Sequence, residues 1–310
     1  MSAPCRFFTG MERFFYGMRT GAGRMWRRLW KAGMAMTLAA CPVMAVSTVA
    51  PAAETLLLSP STGQEQSLSA ASLLARSDAQ WVTVRDVSYG GQRRYRAVGL
   101  ATLLGKAADD GGVLTATASD GFSADLPLRM IREASQDASR PQPWLAVEDP
   151  QHPWPALPGK KASAGPFYII WSGEGAEHVP SEYWPYRILR LTIRTPTLQR
   201  WPQLELSPDA SASIKQGQDA FIAFCLPCHR LNGAGDGDQG PDLGKPMNPT
   251  GYFQRSALHR YIRDPASVRD WPGRQMQGFS ATTLPDTTIE AIIDYLDAIR
   301  MKSAPSRVKP

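Results

Sequence analysis

The sequence predicts a multidomain protein, with an α+β body over residues 54–205 followed by an all-α body over residues 206–302. Three observations carry this. The first half holds strand-like runs that flank glycine turns. The second half holds two stretches with helical apolar spacing and no strand pattern. Two of the four cysteines and one of the four histidines fall within five residues, Cys225-Leu-Pro-Cys228-His229. A chain of 310 residues is long enough to bury a core in each body.

The amino-terminal segment stands apart by charge. Seven of the 34 Lys and Arg lie in residues 1–53, but only one of the 28 Asp and Glu, Glu12, does, so the rest is balanced at 27 of each. A neutral body lacks the clustered basic field that nucleic acid requires, so nucleic acid is not an expected partner. Arg27, Arg28 and Lys31 precede the apolar run AGMAMTLAACPVMAVSTVAPAA, and Glu54 follows it. This is the layout of a secretory leader, with cleavage after Ala52 or Ala53. A start at Met25 would give an n-region of ordinary length. Two other readings stay open: LAAC makes Cys41 a lipidation site, and the run is long enough for an uncleaved anchor. All three place the body outside the cytoplasmic membrane, in the periplasm, soluble or membrane-attached. Cys5 leaves with the leader, as does Cys41 unless lipidated, so Cys225 and Cys228 remain.

In the first body, WVTVRDV and RRYRAV flank Gly90-Gly91 and read as a hairpin. VLTATAS and FSADLPL flank Asp120-Gly121 and read as a second. GLATLLGKA and PLRMIREA have helical spacing, and PFYIIW and YRILRLTI are later strands. RPQPWLAVEDPQHPWPALPG reads as a proline-rich connection. Interspersed strands and short helices give α+β. Arg93, Arg94 and Arg96 suggest either an anion site or a solvated hairpin face, and the second is the commoner origin of such alternation. His152 and His178 have no partner motif.

In the second body, Ser207-Pro208 is the expected start of a helix whose face carries Ile214, Gly217, Phe221 and Phe224. The last helix is expected behind a Thr287/Glu290 capping box, with a stripe of Ile289, Ile292, Ile293, Leu296 and Ile299. Between them lies a Gly/Pro-rich middle with one short helix near Ser256–Arg263. Residues 303–310 read as a disordered tail. Loops of this length seldom pack unaided in a compact domain, so the fold needs a large apolar object at its centre.

C-x-x-C-H is the attachment pattern of c-type haem. One turn presents two thiols to the porphyrin vinyl groups, and the next imidazole lies under the iron. Cys225 and Cys228 are therefore the expected tethers of one covalent haem c, and His229 its proximal ligand. Attachment also removes a vicinal thiol pair from an oxidising compartment, where it would otherwise form a disulfide. A thioredoxin-type pair needs a preceding strand, a zinc site needs further ligands, and a disulfide across two residues is strained. Met276 is the expected second axial ligand, since a thioether favours Fe(II); Met247 and His259 are its rivals, and Met301 is too near the end. Pro241 offers a carbonyl to His229 Nδ1. Tyr252, Arg255, Trp271 and Arg274 could reach the propionates or simply pack.

Residues 207–302 resemble a class I cytochrome c domain, through Gly217 and Phe221, CLPCH, GPDL, YIRDP, MQGF and IIDYL. The resemblance implies an all-α fold whose first and last helices cross near Gly217 and Tyr295, one low-spin haem and one-electron transfer. Gln277 departs from the proline common after the ligating methionine. Residues 80–195 resemble the molybdopterin-binding domain of the sulfite oxidase family, through YRAVGLATLL, ASDGFSADLPL, GPFYIIW and WPYRILRLTI. That family ligates molybdenum through a cysteine, and residues 54–205 have none, which implies a degenerate fold reused for docking. The expected function is an exported monohaem cytochrome carrying single electrons between a periplasmic dehydrogenase and a respiratory acceptor, rather than an enzyme, with electrons entering at a haem edge near Leu226–Pro227. The alternatives are a cytochrome-fused, sulfite-dehydrogenase-like oxidoreductase subunit and a haem-based sensor.

Overall fold

Alternation in the first half resolves into two sheets. The structure is a computed structural model describing residues 55–61, 63–109 and 111–303. The expected leader, Cys5, Cys41 and residues 304–310 of the expected tail lie outside the described residues. β1 (Thr55–Ser59) and β2 (Gln66–Ser69) lead into α1 (Ala70–Leu74), capped by Ser69 Oγ on the amide of Ser72. β3 (Gln80–Arg85) and β4 (Gln92–Gly99) form the first expected hairpin, with Trp81 opposite Arg96. α2 (Leu100–Leu104) follows and passes into a 3-10 turn at Gly105–Asp109, so the helical stretch here is shorter than its spacing suggested. β5 (Val113–Ala118) and β6 (Ser123–Pro127) form the second hairpin, and α3 (Leu128–Gln136) buries Leu128, Ile131 and Ala134.

The proline-rich connection is partly a strand. β7 (Gln142–Val147) lies inside it, between β4 and β8 (Phe167–Ser172). β4 pairs only with Trp144–Ala146 of β7, so Pro143 sits outside that stretch and its missing N–H breaks no bond to β4. β9 (Ile188–Arg194) completes the larger sheet, ordered β2-β1-β9-β5-β6, in which only β1 and β9 run parallel; the smaller sheet is β3-β4-β7-β8. One apolar core takes residues from both sheets, including Leu114, Leu126, Tyr95, Leu145, Ile169 and Trp171. The short α4 (Thr197–Arg200) leads out. The amino-terminal region is thus mixed sheet and helix.

The carboxy-terminal half is helical. α5 (Ala212–Phe224) begins later than Ser207-Pro208 suggested, because Ser211 Oγ caps the amide of Ile214. α6 (Arg255–Arg263) and α7 (Pro265–Val268) are short. α8 (Asp286–Ser303) starts ahead of the expected capping box: Thr287 lies inside its first turn, and Glu290 bonds Arg255 instead. Its last residue, Ser303, belongs to the helix rather than to a tail. A second core gathers Leu204, Phe221, Leu258, Ile289, Ile292 and Tyr295.

The two cores lie within one compact unit and meet directly. Ala223 of α5 is buried in the first core, and Phe224 touches both. Ser123 N–H donates to the carbonyl of Pro227 at 3.0 Å, and Asp238 N–H to that of Gly121 at 3.2 Å. Beside these contacts Asp125 accepts from Thr115 at 2.6 Å, from Thr197 at 2.7 Å and from Arg200. Arg200 and Arg194 each reach Asp236 at 2.9 Å. Among the described residues no helix is long and apolar enough to cross a membrane.

Candidate haem site

The site begins where α5 and α8 cross. A Cβ added at Gly217 would lie 2.0 Å from the carbonyl oxygen of Ala291, so the helices approach at a distance only glycine allows. The closest backbone approach is at Ala291, one turn before Tyr295. The Tyr295 ring lies 5.3 Å from that of Phe221, and its hydroxyl donates to Leu204 O at 2.9 Å. Gln218 Nε2 donates to the same carbonyl at 2.7 Å. This packing fixes the axis of α5 and so the place where its last turn delivers Cys225.

Beyond Phe224 the chain stays turned: the amides of Cys228 and His229 both donate to Cys225 O, at 3.2 and 2.9 Å. Both sulfurs are free thiols. Cys228 Sγ–H donates to Gln239 Oε1 at 3.3 Å. Burial, aided by the Glu182 carboxylate, pushes the Cys228 thiol up to about 12 and raises Cys225 in the same direction. Each thiol keeps part of its surface open, as does Glu182, so all three border a crevice otherwise walled by protein. Burial also raises the Glu182 carboxyl to about 7, opposed by the 2.8 Å bond from Ser181.

His229 Nδ1 lies 2.8 Å from Pro241 O. A carbonyl can only accept, so Nδ1 carries the proton and the Nε2 lone pair is free. Burial lowers the His229 pKa and so favours the neutral ring, against the opposing effect of this bond. A Cβ added at Gly240 would lie 2.3 Å from His229 Cε1, so the imidazole rests on that glycine. Asp242 fixes the loop by accepting from the amides of Asn232, Gly233 and Gly244 at 2.6 to 2.9 Å.

Met276 is half-buried in the loop between α7 and α8. Arg274 donates to its carbonyl at 2.6 Å and pairs with Asp270 at 3.1 Å. Phe279 packs edge-on against Phe224, centroids 5.8 Å apart, which brings the loop after Met276 to the thiol end of α5. Arg263 holds the same loop through the carbonyls of Phe279 and Leu284, at 2.5 and 2.7 Å. The rival ligands point elsewhere. Met247 is 56% exposed beside Gly251, and His259 Nε2 faces Asp286 at 3.4 Å and Glu290 at 3.8 Å. Arg255 is committed to Glu290 and Asp294, at 2.6 and 2.7 Å, which removes it from the propionate candidates. Tyr252 and Trp271 are exposed, Tyr252 tilted against Phe253 and Trp271 under Arg269. His152 and His178 pair with neighbouring acids at the surface.

The family model for cytochrome c matches residues 214–300. The carboxy-terminal segment is a cytochrome c domain. Its cofactor is covalently bound c-type haem, and its role is haem-based electron transfer. No curated protein was found similar to the chain. The residues present fit that cofactor: two thiols one turn apart and not joined in a disulfide, followed by an imidazole with Nδ1 held and Nε2 free. Among the described residues no three of His, Cys, Asp and Glu converge to hold a metal ion by themselves.

One expectation is overturned. Leu226 is 5% exposed and Pro227 is buried, its carbonyl bonded to Ser123 of β6. The Leu226–Pro227 stretch is buried, with Pro227 held by β6 of the α+β body, and it is not open to solvent. Sequence reasoning missed this cover, and with it Glu182, Asp125 and Arg200. Their signal lies only in tertiary contacts far apart in sequence. Arg263 and Asp242 were within quoted motifs, YIRDP and GPDL, and could have been singled out there.

Proposed function

We propose that this protein is an exported monohaem cytochrome that carries single electrons between a periplasmic dehydrogenase and a respiratory acceptor. Cys225 and Cys228 tether the haem, and His229 and Met276 ligate it. When bound, the haem supplies a one-electron Fe(III)/Fe(II) couple. The chain's own residues do the rest. Pro241 fixes the tautomer and tilt of His229, and Gly240 gives the ring its seat. Phe224, Phe279 and Arg263 hold the Met276 loop against α5. Glu182 and the β6 strand close one side of the crevice and exclude water, which lowers the cost of reorganisation during transfer.

The observation that carries the reading is the His229–Pro241 bond within a C-x-x-C-H turn. The basic, apolar layout of residues 1–53 supports export, with attachment through that segment or Cys41 as the variant form. The α+β body we read as a sulfite-oxidase-type scaffold without its metal-ligating cysteine, reused for docking; no cysteine lies between residues 54 and 205. The test is the spectrum of protein matured in a host that attaches haem. Low-spin haem c is expected, with a sulfur-to-iron band in the far red when oxidised. Loss of that band in Met276→Ala supports the ligand assignment. A high-spin wild-type spectrum removes Met276 from it.

A further inference from the structure

The α+β body carries a face whose charge is unlike the rest of it. Arg85, Arg94 and Arg96 share the outer face of the β3–β4 hairpin, opposite Gln92, Thr83 and Trp81 in the register. Arg93, at the tip, lies 5.3 Å over the Tyr89 ring. The Tyr89 hydroxyl donates to Pro155 O and accepts from Ala164 N, both at 2.9 Å, which binds the tip to the loop carrying Lys160 and Lys161. Lys160 Nζ lies 4.9 Å from the centre of the Tyr186 ring. The same loop accepts through Ala164 O from Arg187 N at 2.9 Å, and Arg187 O accepts from Ser119 N at 3.1 Å, beside the Gly121 turn that bonds Asp238 of the haem body.

None of these six cations forms an ion pair with a described residue, whereas ten other arginines do. The nearest carboxylates are turned inward. Asp86 is 3% exposed and accepts from the amides of Ser88 and Tyr89 and from Tyr95 Oη at 2.6 to 2.8 Å. Glu148 takes Trp154 N and Ser163 Oγ. A body with as many acids as bases has thus collected unpaired positive charge on one face. Two apolar side chains stand within it, Trp81 at 56% exposure and Val87 at 43%, with Arg94 4.8 Å over the Trp81 ring. Exposed tryptophan amid arginine is the composition of a protein-binding surface.

We propose that this hairpin-and-loop face is the docking surface for an acidic redox protein, which exchanges its electron with the haem across the α+β cover. The inference rests on the electron-transfer reading above. It replaces the Leu226–Pro227 edge, which is covered, with the face of the body that covers it. A mixed cationic and aromatic face selects a partner rich in Asp and Glu, and steers it at low ionic strength.

The test uses the full haem-loaded protein and two oxidants of opposite charge. Reduced protein gives one electron to hexacyanoferrate(III), so Fe(II) becomes Fe(III) and the reagent becomes hexacyanoferrate(II). Tris(phenanthroline)cobalt(III) takes the electron in the parallel reaction. R93E/R94E is expected to slow the anionic oxidant about tenfold at low salt and to speed the cationic one, with the gap closing at high salt. R260E, which makes half that change of charge on α6, is expected to alter either rate less than about twofold. Poly-L-glutamate should slow the hexacyanoferrate reaction of the wild type and not of R93E/R94E. Equal rates in wild type and R93E/R94E overturn the proposal, as does a larger effect of R260E. Binding to phosphatidylglycerol vesicles without any effect of poly-L-glutamate also overturns it, in favour of a membrane face. An unchanged haem spectrum in every variant separates these failures from failure of the electron-transfer reading, in which no oxidisable haem would be present.

Discussion

The two halves of this chain reach order by different means. In the α+β body nine strands are tied into two ladders, and its core holds Trp171, Trp184, Tyr168 and Phe167 at 1% exposure or less. In the haem body, only the nine residues of α6 and the four of α7 are α-helical between Phe224 and Asp286. The remainder is loop, pinned by Asp242, Asn248 and Arg263 to backbone groups. Hydrogen bonds of that kind contribute about 1 kcal/mol each and do not replace a core. The difference teaches that the first body can hold its shape from its own sequence, and that the second needs a bonded apolar centre and a neighbour.

The largest expected effect follows from removing the centre. Cys225→Ala with Cys228→Ala should leave the strands of the α+β body folded and abolish the cooperative melting of α5 and α8, read by far-UV and near-UV circular dichroism. A single unchanged transition in that variant would erase the contrast between the halves. Next comes the joint. Asp125→Ala leaves Arg200, 14% exposed, with Asp236 as its remaining acid partner, and should cost about 1.5–3 kcal/mol. Calorimetry should then show two transitions where the wild type shows one.

The helix crossing sharpens the picture inside the haem body alone. Gly217→Ala drives a methyl onto Ala291 O and should cost about 1–3 kcal/mol by chemical denaturation; in the Asp125→Ala background the loss should fall on the transition of the haem body and leave that of the α+β body unmoved. The smallest effect is a pH dependence. Glu182 titrates near 7 in the folded protein and at the ordinary carboxyl value when unfolded. Between those values the folded state holds the extra proton, so its contribution is full at acid pH and is lost as pH rises through about 7. Glu182→Gln should flatten that slope in a denaturation series from pH 4.5 to 8; an unchanged slope would place the carboxyl outside the crevice.

What could be read in advance follows the range of the interactions. Both glycine-centred hairpins are where their turns put them, because Gly90, Gly91 and Gly121 have positive φ that other residues resist. The helical half and the C-x-x-C-H turn were legible for the same reason: spacing within a few residues defines them. β7 was hidden by its prolines, and β1 by needing β9, more than 120 residues away, to reveal it. The helix start at Ser211 lost to the rival signal of Ser207-Pro208, which has the better local pattern. The cover over Leu226–Pro227 was beyond reach, since Ser123 and Pro227 carry no mark of each other in sequence.

The central claim is that a haem bonded to Cys225 and Cys228 is the core of the carboxy-terminal half. Intact-mass measurement on protein matured in a haem-attaching host tests it most directly, with the absorption spectrum recorded on the same sample. The account predicts a polypeptide heavier by one haem, and the bare mass with no haem band for the Cys225→Ala, Cys228→Ala variant. A colourless wild type at the mass of the polypeptide alone, with α5 and α8 nevertheless folded, would contradict it.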